Sequence, residues 1–334
     1  MVWMWEKQKP GSGVYSRLEV GVGVRLFRER ELYRIGIVTS TFETDGTARD
    51  LFEAAERAAE VKVVDPIEFS VDLDGRSAIR IGALDGTYFD ALLVRGLDFK
   101  GDTDFQFEIF ELLDKAGVVI VNSPAALQIA ESKFLTSYIL RAHGLPVPTG
   151  IIAQTMEYAE GFLSEHDDVI VKPIYGFQGY GVIRVKNSTR GARARVKRIL
   201  DEHKVIYMQE YIPNPGRDIR AFVVGAEVVA SIYRLAPSGR WKTNLRAGAM
   251  PVVCELTDGQ RELAVGASRI LGLDYTGVDI IEGPDGDCVL EVNGAPAWGG
   301  IMRATGRDVA KDIVDHILRR LEGRDIAYNR PNAS

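Results

Sequence analysis

The pattern of apolar and polar positions divides the chain into alternating strands and helices from Tyr33 onward. It predicts strands over 33–39, 61–64, 91–95 and 118–121, with helices over 48–59 and 105–116. Short strands that alternate with amphipathic helices predict an α/β domain with a small parallel sheet. Ligands of such sheets bind at the carboxyl ends of the strands. Residues 1–32 have no clear period, and we interpret them as a loose N-terminal extension outside the core.

The stretch 169–185 is a predicted glycine-tipped hairpin. A β-branched run ends in Lys172, a loop containing Gly176, Gly179 and Gly181 follows, and a second apolar run begins at Val182. Glycines allow backbone N–H groups to approach an anion closely, and the lysine would add a positive charge. An ordinary glycine-rich hairpin and a cover for phosphate are both compatible with this stretch.

Before it, Ser123–Pro124 predicts a helix start, and a helix over 132–143 should stop at Gly144.

The second half of the chain predicts two lobes joined at a proline-rich break. An apolar run over 205–212 carries Gln209 and Glu210 near its end, and strands over 218–224 and 228–234 follow the break. A capping box at 257–260 precedes a helix. Turn residues then join strands over 277–281 and 288–293 into a hairpin. A terminal helix should close near Gly323, with 324–334 as a loose tail.

The last hairpin carries the residues that favour metal chemistry. Glu291 and Asn293 are two positions apart, so they point to the same face of their strand. Asp279 joins them if the register allows. Two carboxylates and an amide carbonyl are hard oxygen donors that suit Mg²⁺. Because a buried carboxylate pair without a cation would be unfavourable, the pattern favours a metal site over coincidence.

Composition narrows the functional classes. The net charge of -6 and the pI near 5.5 argue against sequence-independent binding of nucleic acid. The basic run 190–198 is interpreted as the solvated face of a helix. Two cysteines without a partner motif are typical of a reducing compartment, and no signal-peptide core or membrane-spanning run is present. These features predict a cytoplasmic protein without a membrane partner.

Arg95, at a predicted strand end, would meet either an anionic substrate or a surface carboxylate.

Six motifs in order resemble the ATP-grasp superfamily, and within it the RimK-like carboxylate–amine (alpha-L-glutamate) ligases. They are Val-Lys-Pro-Ile-Tyr-Gly-Phe-Gln-Gly-Tyr-Gly, Gln-Glu-Tyr-Ile, Asp-Ile-Arg, Thr-Asn-Leu-Arg, Gly-Val-Asp-Ile and Glu-Val-Asn-Gly-Ala-Pro. The resemblance runs from about Tyr33 to Gly323. It implies a pre-ATP-grasp α/β domain (33–123), a central lobe (124–208) and a C-terminal lobe (209–323), with ATP clamped between the last two.

The resemblance also implies roles for individual residues. Lys133 and Lys172 would contact phosphate with the loop glycines Gly176, Gly179 and Gly181, and Gln209, Glu210 and Tyr211 would lie at the adenine edge. Asp218 would hold the ribose, and Lys242 and Asn244 would meet phosphate or the reaction centre. Arg220, Arg234 and Arg246 would hold substrate carboxylates and the acyl-phosphate, with Arg95 on the substrate side. Asp279, Glu291 and Asn293 would hold Mg²⁺ or Mn²⁺, as two ions.

The implied reaction is ATP-dependent formation of an amide through an acyl-phosphate, with glutamate added to a carboxylate. The acceptor could be a coenzyme of the pterin or deazaflavin type, a peptide or a protein tail. Two departures from relatives concern the acceptor side: the arginine of the relatives' Asn-x-x-Arg-Gly is moved by one position, to Arg246, and Ala295-Pro296-Ala297 stands in place of Ser-Pro-Gly. An amino-group-carrier ligase of lysine biosynthesis and a regulatory ATP-binding protein without turnover are the alternatives. Relatives are often dimers or tetramers, so a homo-oligomer fits the resemblance.

Overall fold

A computed structural model of the chain describes residues 32–73, 78–174 and 181–329. Residues 1–31 of the predicted extension, together with Gly176 and Gly179 and the end of the predicted tail, lie outside these ranges. The described strands are β1 (Tyr33–Val38), β2 (Ala59–Val64), β3 (Phe69–Asp72), β4 (Ala78–Ile81), β5 (Leu84–Asp85), β6 (Ala91–Val94), β7 (Val119–Val121), β8 (Gly150–Ala153), β9 (Asp168–Lys172), β10 (Ile183–Lys186), β11 (Ile206–Glu210), β12 (Arg217–Val224), β13 (Glu227–Leu235), β14 (Met250–Val253), β15 (Tyr275–Gly283) and β16 (Gly286–Asn293).

The described α-helices are α1 (Gly46–Ala55), α2 (Thr103–Lys115), α3 (Pro124–Glu131), α4 (Lys133–Ala142), α5 (Met156–Glu165), α6 (Ala192–His203), α7 (Asp258–Leu271), α8 (Gly299–Thr305) and α9 (Val309–Asn329). Short 3₁₀ turns lie at Pro66–Glu68, Gly86–Tyr88 and Leu245–Ala247. In the part of the chain that the structure covers, none of these helices is both long and apolar enough to cross a membrane.

The N-terminal part folds around a parallel sheet of order β2–β1–β6–β7, which confirms the predicted α/β arrangement. Ile35, Ile37 and Leu93 on its strands are fully buried because both faces of the sheet are covered. A small antiparallel sheet of order β3–β4–β5 lies beside it and was not predicted. Its strands have only two to four residues, which is too short for a clear alternation.

The central sheet is antiparallel, of order β10–β9–β11–β8, and the predicted hairpin forms its edge with Ile183 opposite Val171. Val169 and Val171 point to the side covered by α5 and α6, whereas Ile170 and Lys172 point to the other side. Strand alternation therefore places one face of this sheet in a core and leaves the other to line a cleft.

The C-terminal sheet is antiparallel, of order β14–β13–β12–β15–β16. Helices α3, α4 and α7 cover one face, and the predicted capping box of α7 is present, with Gln260 N donating to Thr257 Oγ1 over 3.2 Å. On the other face, Phe222 and Trp298 share one buried cluster with Ile35 of the parallel sheet and Ile313 of α9. The N-terminal and C-terminal sheets are thus joined by a common hydrophobic core.

Two predicted helix boundaries were wrong. The helix predicted over 48–59 is α1, which begins at Gly46 because Asp45 caps it, and Ala59 belongs to β2. The terminal helix does not close near Gly323 but continues to Asn329. A glycine ends a helix when it adopts the left-handed conformation, and Gly323 lies within regular helix instead.

Candidate active site

A cleft of about 830 Å³ lies between the exposed face of the central sheet and the C-terminal sheet. It brings together eleven of the predicted site residues from six segments of the chain. They are Lys133, Lys172, Gln209, Glu210, Tyr211, Asp218, Arg234, Lys242, Asn244, Asp279 and Glu291.

Two lysines face the carboxylates in this cleft. Lys133 begins α4, and its Nζ lies 3.0 Å from Oε1 of Glu291. Lys172 ends β9, and its Nζ donates to Oε1 of Gln209 over 2.5 Å. The pKa of Lys172 is lowered to about 8, chiefly by burial and also by the charge of Lys133, although the carboxylate of Glu291 opposes both. Two cations held this close favour an anionic ligand.

The segment 209–212, which leads from the central sheet toward the C-terminal sheet, is held by contacts with Thr149 and Arg184. Glu210 N donates to Thr149 O over 2.9 Å, and Thr149 N donates to Oε1 of Glu210 over 2.7 Å. The guanidinium carbon of Arg184 lies 3.4 Å from the centre of the Tyr211 ring. Gln209 Nε2 is buried and has no hydrogen-bond partner among the described residues. This unsatisfied donor fits a ligand that offers an acceptor atom at this end of the cleft.

Buried charges form a network beneath the cleft. Arg234 Nε and Nη2 donate to the two oxygens of Asp218 over 2.7 and 2.5 Å, and Nη2 also reaches Asp279 Oδ2 at 2.8 Å. Arg220 donates to both oxygens of Asp279, and Thr243 Oγ1 donates to Asp218 Oδ2 over 2.5 Å. Burial alone would raise the pKa of Asp279, but the charges of Arg220 and Arg234 outweigh it and hold this pKa below its usual value.

The predicted metal residues lie on one hairpin in the register that the prediction requires. Asp279 is directly opposite Glu291, and Gly277 is opposite Asn293, so Asp279 and Glu291 share a face. The register shifts after Asp279, and Leu290 is the extra residue. This bulge explains why the adjacent residues Leu290 and Glu291 both line the cleft.

The donor chemistry of this hairpin fits Mg²⁺. Among the described residues, no three His, Cys, Asp or Glu side chains are grouped to hold a metal, so a metal ion at this hairpin would be held by the two predicted carboxylates and the amide of Asn293. A carboxylate has about four lone-pair sites that can accept a hydrogen bond or bind a metal. Arginines use three of those of Asp279, so about one is left for a metal ion. Mg²⁺ takes few protein ligands and keeps waters and phosphate oxygens, so such a sparse set suffices.

The loop after β13 carries three of the predicted residues, of which Lys242 and Asn244 line the cleft. Asn244 precedes the 3₁₀ turn that carries the exposed Arg246, and the Lys242 ammonium lies 5.6 Å from the Trp241 ring centre. Gly181 has φ +68°, a conformation that glycine adopts easily. The predicted functions of these residues stay predictions.

Arg95 is buried, with 5% of its side chain exposed, and its Nε lies 3.7 Å from Oδ2 of the partly buried Asp45. Its Nη2 donates to Thr47 Oγ1 over 2.7 Å, and its Nη1 donates to Tyr275 Oη over 3.2 Å and to Pro296 O over 3.3 Å. Arg95 therefore bridges the parallel sheet and the chain after β16. Its predicted contact with substrate stays a prediction.

Sequence reasoning missed several residues of the cleft. Trp241 and Thr243 line it from the loop after β13. Five aliphatic side chains also line it, namely Ile170, Val182, Ile212, Ile281 and Leu290. Period-two alternation could have found Ile170, two positions before Lys172, and Ile281, two positions after Asp279. Apolar side chains beside lysines and carboxylates suit a ligand that has both an apolar and an anionic part, such as a nucleotide.

A cleft between two antiparallel sheets, lined by lysines, carboxylates and apolar side chains, is the arrangement of the ATP-grasp class of ligases. The RimK-like ATP-grasp domain matches residues 130–317. The chain belongs to the RimK-like ATP-grasp family. It is accordingly an ATP-dependent ligase that forms C–N bonds.

Relatives that match this chain along nearly their whole length support its assignment to this ligase family. The chain is 33% identical over 320 residues to the tetrahydromethanopterin:alpha-L-glutamate ligase of Methanosarcina acetivorans, covering 85% of this chain and 98% of that protein. It is 34% identical to the protein of the same name from Methanocaldococcus jannaschii, over 86% and 98% of the two chains. The fold resembles the ATP-grasp ligase PsnB complexed with a minimal precursor, with a TM-score of 0.70, 23% identity and coverage of 86% and 99%. PsnB has also been solved with its precursor, Mg and ADP, at a TM-score of 0.69, 23% identity and coverage of 86% and 98%.

Proposed function

We propose that the protein uses Mg-ATP to add L-glutamate to a carboxylate of an acceptor molecule. The observation that carries the proposal is that Lys133, Lys172, Asp279 and Glu291 line one cleft, where the Lys133 ammonium lies 3.0 Å from the Glu291 carboxylate. A triphosphate needs cations along its oxygens, and Mg²⁺ needs carboxylate donors on its other side. The relatives named as glutamate ligases support glutamate as the added amino acid.

The reaction balances without a nucleophilic side chain. An oxygen of the acceptor carboxylate attacks the γ-phosphorus of ATP, and ADP leaves. The amine of glutamate then attacks the acyl carbon, phosphate leaves with the original carboxylate oxygen, and the nitrogen loses a proton. Mg²⁺ would neutralise the negative charge of the phosphates while the bond between the acceptor oxygen and the γ-phosphorus forms. Lys133 and Lys172 would hold the phosphates in place, and the guanidinium of Arg220 would orient a carboxylate beside Asp279.

The acceptor that we favour is a coenzyme of the pterin type. The relatives at 33% and 34% identity carry tetrahydromethanopterin in their names, and this supports a coenzyme carboxylate over a protein tail. We further propose two metal ions, since Asp279 and Glu291 come from different strands and could each contact one. A homo-oligomer remains part of the proposal.

The test is phosphate release by the purified protein with Mg-ATP, glutamate and tetrahydromethanopterin as acceptor. Release should require both glutamate and acceptor, and the acceptor should gain one glutamyl residue in mass. Glu291→Ala should abolish release, because it removes a carboxylate of the metal pair. The matched control is Glu262→Ala on the exposed face of α7, which should leave release unchanged.

Two outcomes would contradict the proposal. Unchanged release by the Glu291→Ala variant would remove the metal assignment. ATP binding without any acceptor-dependent release would instead support a regulatory nucleotide-binding protein.

A further inference from the structure

A single buried amide joins the end of the parallel sheet to the base of the β15–β16 hairpin. Asn122 follows β7 and is fully buried. Its Nδ2 donates to Tyr275 O over 2.8 Å and to Gly294 O over 2.6 Å. Its Oδ1 accepts from Asp274 N at 2.7 Å and from Tyr275 N at 3.2 Å. All four hydrogen-bonding positions of the amide are thus used, and all four partners are backbone groups.

The bridged groups stand next to the predicted metal residues. Tyr275 is the first residue of β15, and Gly294 directly follows Asn293. Thr276 Oγ1 donates to Asn293 O over 2.7 Å, and Asn293 Nδ2 lies 3.3 Å from Gly277 O. Asn122 therefore sets the separation of the two strand ends at the point where Asn293 leaves the hairpin.

The helix that follows Asn122 holds the same strand end from another side. A Cβ added to Gly294 would lie 3.0 Å from Ala130 Cβ and 3.2 Å from Leu127 Cδ2, so the Gly294 backbone packs directly on α3. Arg95 adds an independent contact, because its Nη1 donates to Pro296 O. The strand end after Asn293 is thus held by several buried contacts.

We propose that Asn122 is a positioning residue for the metal site. It holds the open end of the β15–β16 hairpin so that the oxygens of Asp279, Glu291 and Asn293 converge. The inference rests on the proposed metal function of these three residues. Residues that orient metal ligands through hydrogen bonds typically change metal affinity by about 10- to 100-fold when they are mutated. A residue that only held two sheets together would change stability and not metal affinity.

The experiment compares Asn122→Ala with Gln106→Ala. Gln106 is a matched control because it is also a buried amide that bridges backbone groups. Its Oε1 accepts from Asp98 N at 2.9 Å and its Nε2 donates to Asp98 O over 2.8 Å, within the N-terminal part of the chain. The measurement is a Mn²⁺ titration of each protein with a non-hydrolysable ATP analogue, followed by electron paramagnetic resonance. Asn122→Ala should weaken Mn²⁺ binding by about tenfold or more, and Gln106→Ala should not.

A second variant keeps the test informative if Asn122→Ala does not fold. Gly294→Ala presses the strand end away from α3, and it should weaken Mn²⁺ binding in the same direction. Adding Ala130→Gly should restore part of the affinity, because it removes the closest contact. Unchanged Mn²⁺ affinity in a folded Asn122→Ala variant would overturn the proposal, and so would unchanged affinity in Gly294→Ala if Asn122→Ala does not fold.

Glu291→Ala separates this inference from the proposed function. If it abolishes Mn²⁺ binding while Asn122→Ala has no effect, the metal site stands and the positioning proposal is wrong. If Glu291→Ala leaves Mn²⁺ binding unchanged, the metal assignment fails and the positioning proposal fails with it.

Discussion

Replacing Lys172 by methionine should change how the stability of the nucleotide-free protein depends on pH. The pKa of this lysine falls from its ordinary 10.5 to about 8, chiefly because of burial. At about 1.4 kcal/mol per pH unit, this lowering corresponds to at most about 3.5 kcal/mol. The cleft is open to water, so the measured effect should lie below this limit.

The direction follows from proton binding in the two states. Between about pH 8 and pH 10.5 the unfolded chain keeps the Lys172 proton and the folded protein releases it. The free energy of unfolding of the wild type should therefore rise across this window through this residue. Below about pH 8 both states are protonated, and the buried charge is a constant destabilising contribution. The Lys172→Met variant lacks the whole effect.

Urea unfolding of both proteins from about pH 7 to about pH 10 measures the difference. The stability of Lys172→Met relative to the wild type should be greatest near pH 7 and should decline as pH rises past 8. The loss of the Lys172–Gln209 hydrogen bond adds a constant offset and does not alter this slope. Lys100→Met, on an exposed loop, is the matched control and should parallel the wild type. A Lys172→Met difference that does not vary with pH would refute the assigned burial of the charge.

Three further changes are predicted. Arg234→Met leaves Asp218 and Asp279 without their shared cation, so it should lower the free energy of unfolding by about 3–5 kcal/mol in urea; a loss below about 1 kcal/mol would contradict the network. Thr257→Ala removes the side-chain acceptor of the α7 capping box and should cost about 1 kcal/mol in thermal unfolding, whereas an unchanged midpoint would argue against the cap. ATP affinity measured by calorimetry should decline above about pH 8 in the wild type, and a flat profile would exclude the Lys172 contact with phosphate.

Local patterns predicted much of the architecture because the relevant signals are close together in the chain. Strand alternation and glycine-rich turns specify the β9–β10 and β15–β16 hairpins, and the two-residue turn between Gly283 and Gly286 sets the register as far as Ile280 and Val289. The pairing of Asp279 with Glu291 depends in addition on the bulge at Leu290. The βαβ rhythm from Tyr33 likewise predicts the parallel sheet. These features depend on neighbouring residues and on the period of each element.

Contacts between distant segments could not be predicted in this way. The Asn122 amide bonds to backbone groups about 150 residues further along, and nothing in its local sequence indicates them. The bulge at Leu290 changes which side chains face the cleft, although the strand shows ordinary alternation. The shared pairing of Arg234 with Asp218 and Asp279 likewise appears only when β12, β13 and β15 lie side by side.

The most direct test of the central claim follows an oxygen atom. An acceptor whose carboxylate is labelled with a heavy oxygen isotope is incubated with the protein, Mg-ATP and glutamate. The masses of the released phosphate and of the product are then measured by mass spectrometry. Formation of an acyl-phosphate predicts that each phosphate released carries one heavy oxygen from the acceptor, while the product gains one glutamyl residue. Glutamylated product with unlabelled phosphate would contradict the acyl-phosphate route through the Lys172 and Glu291 cleft.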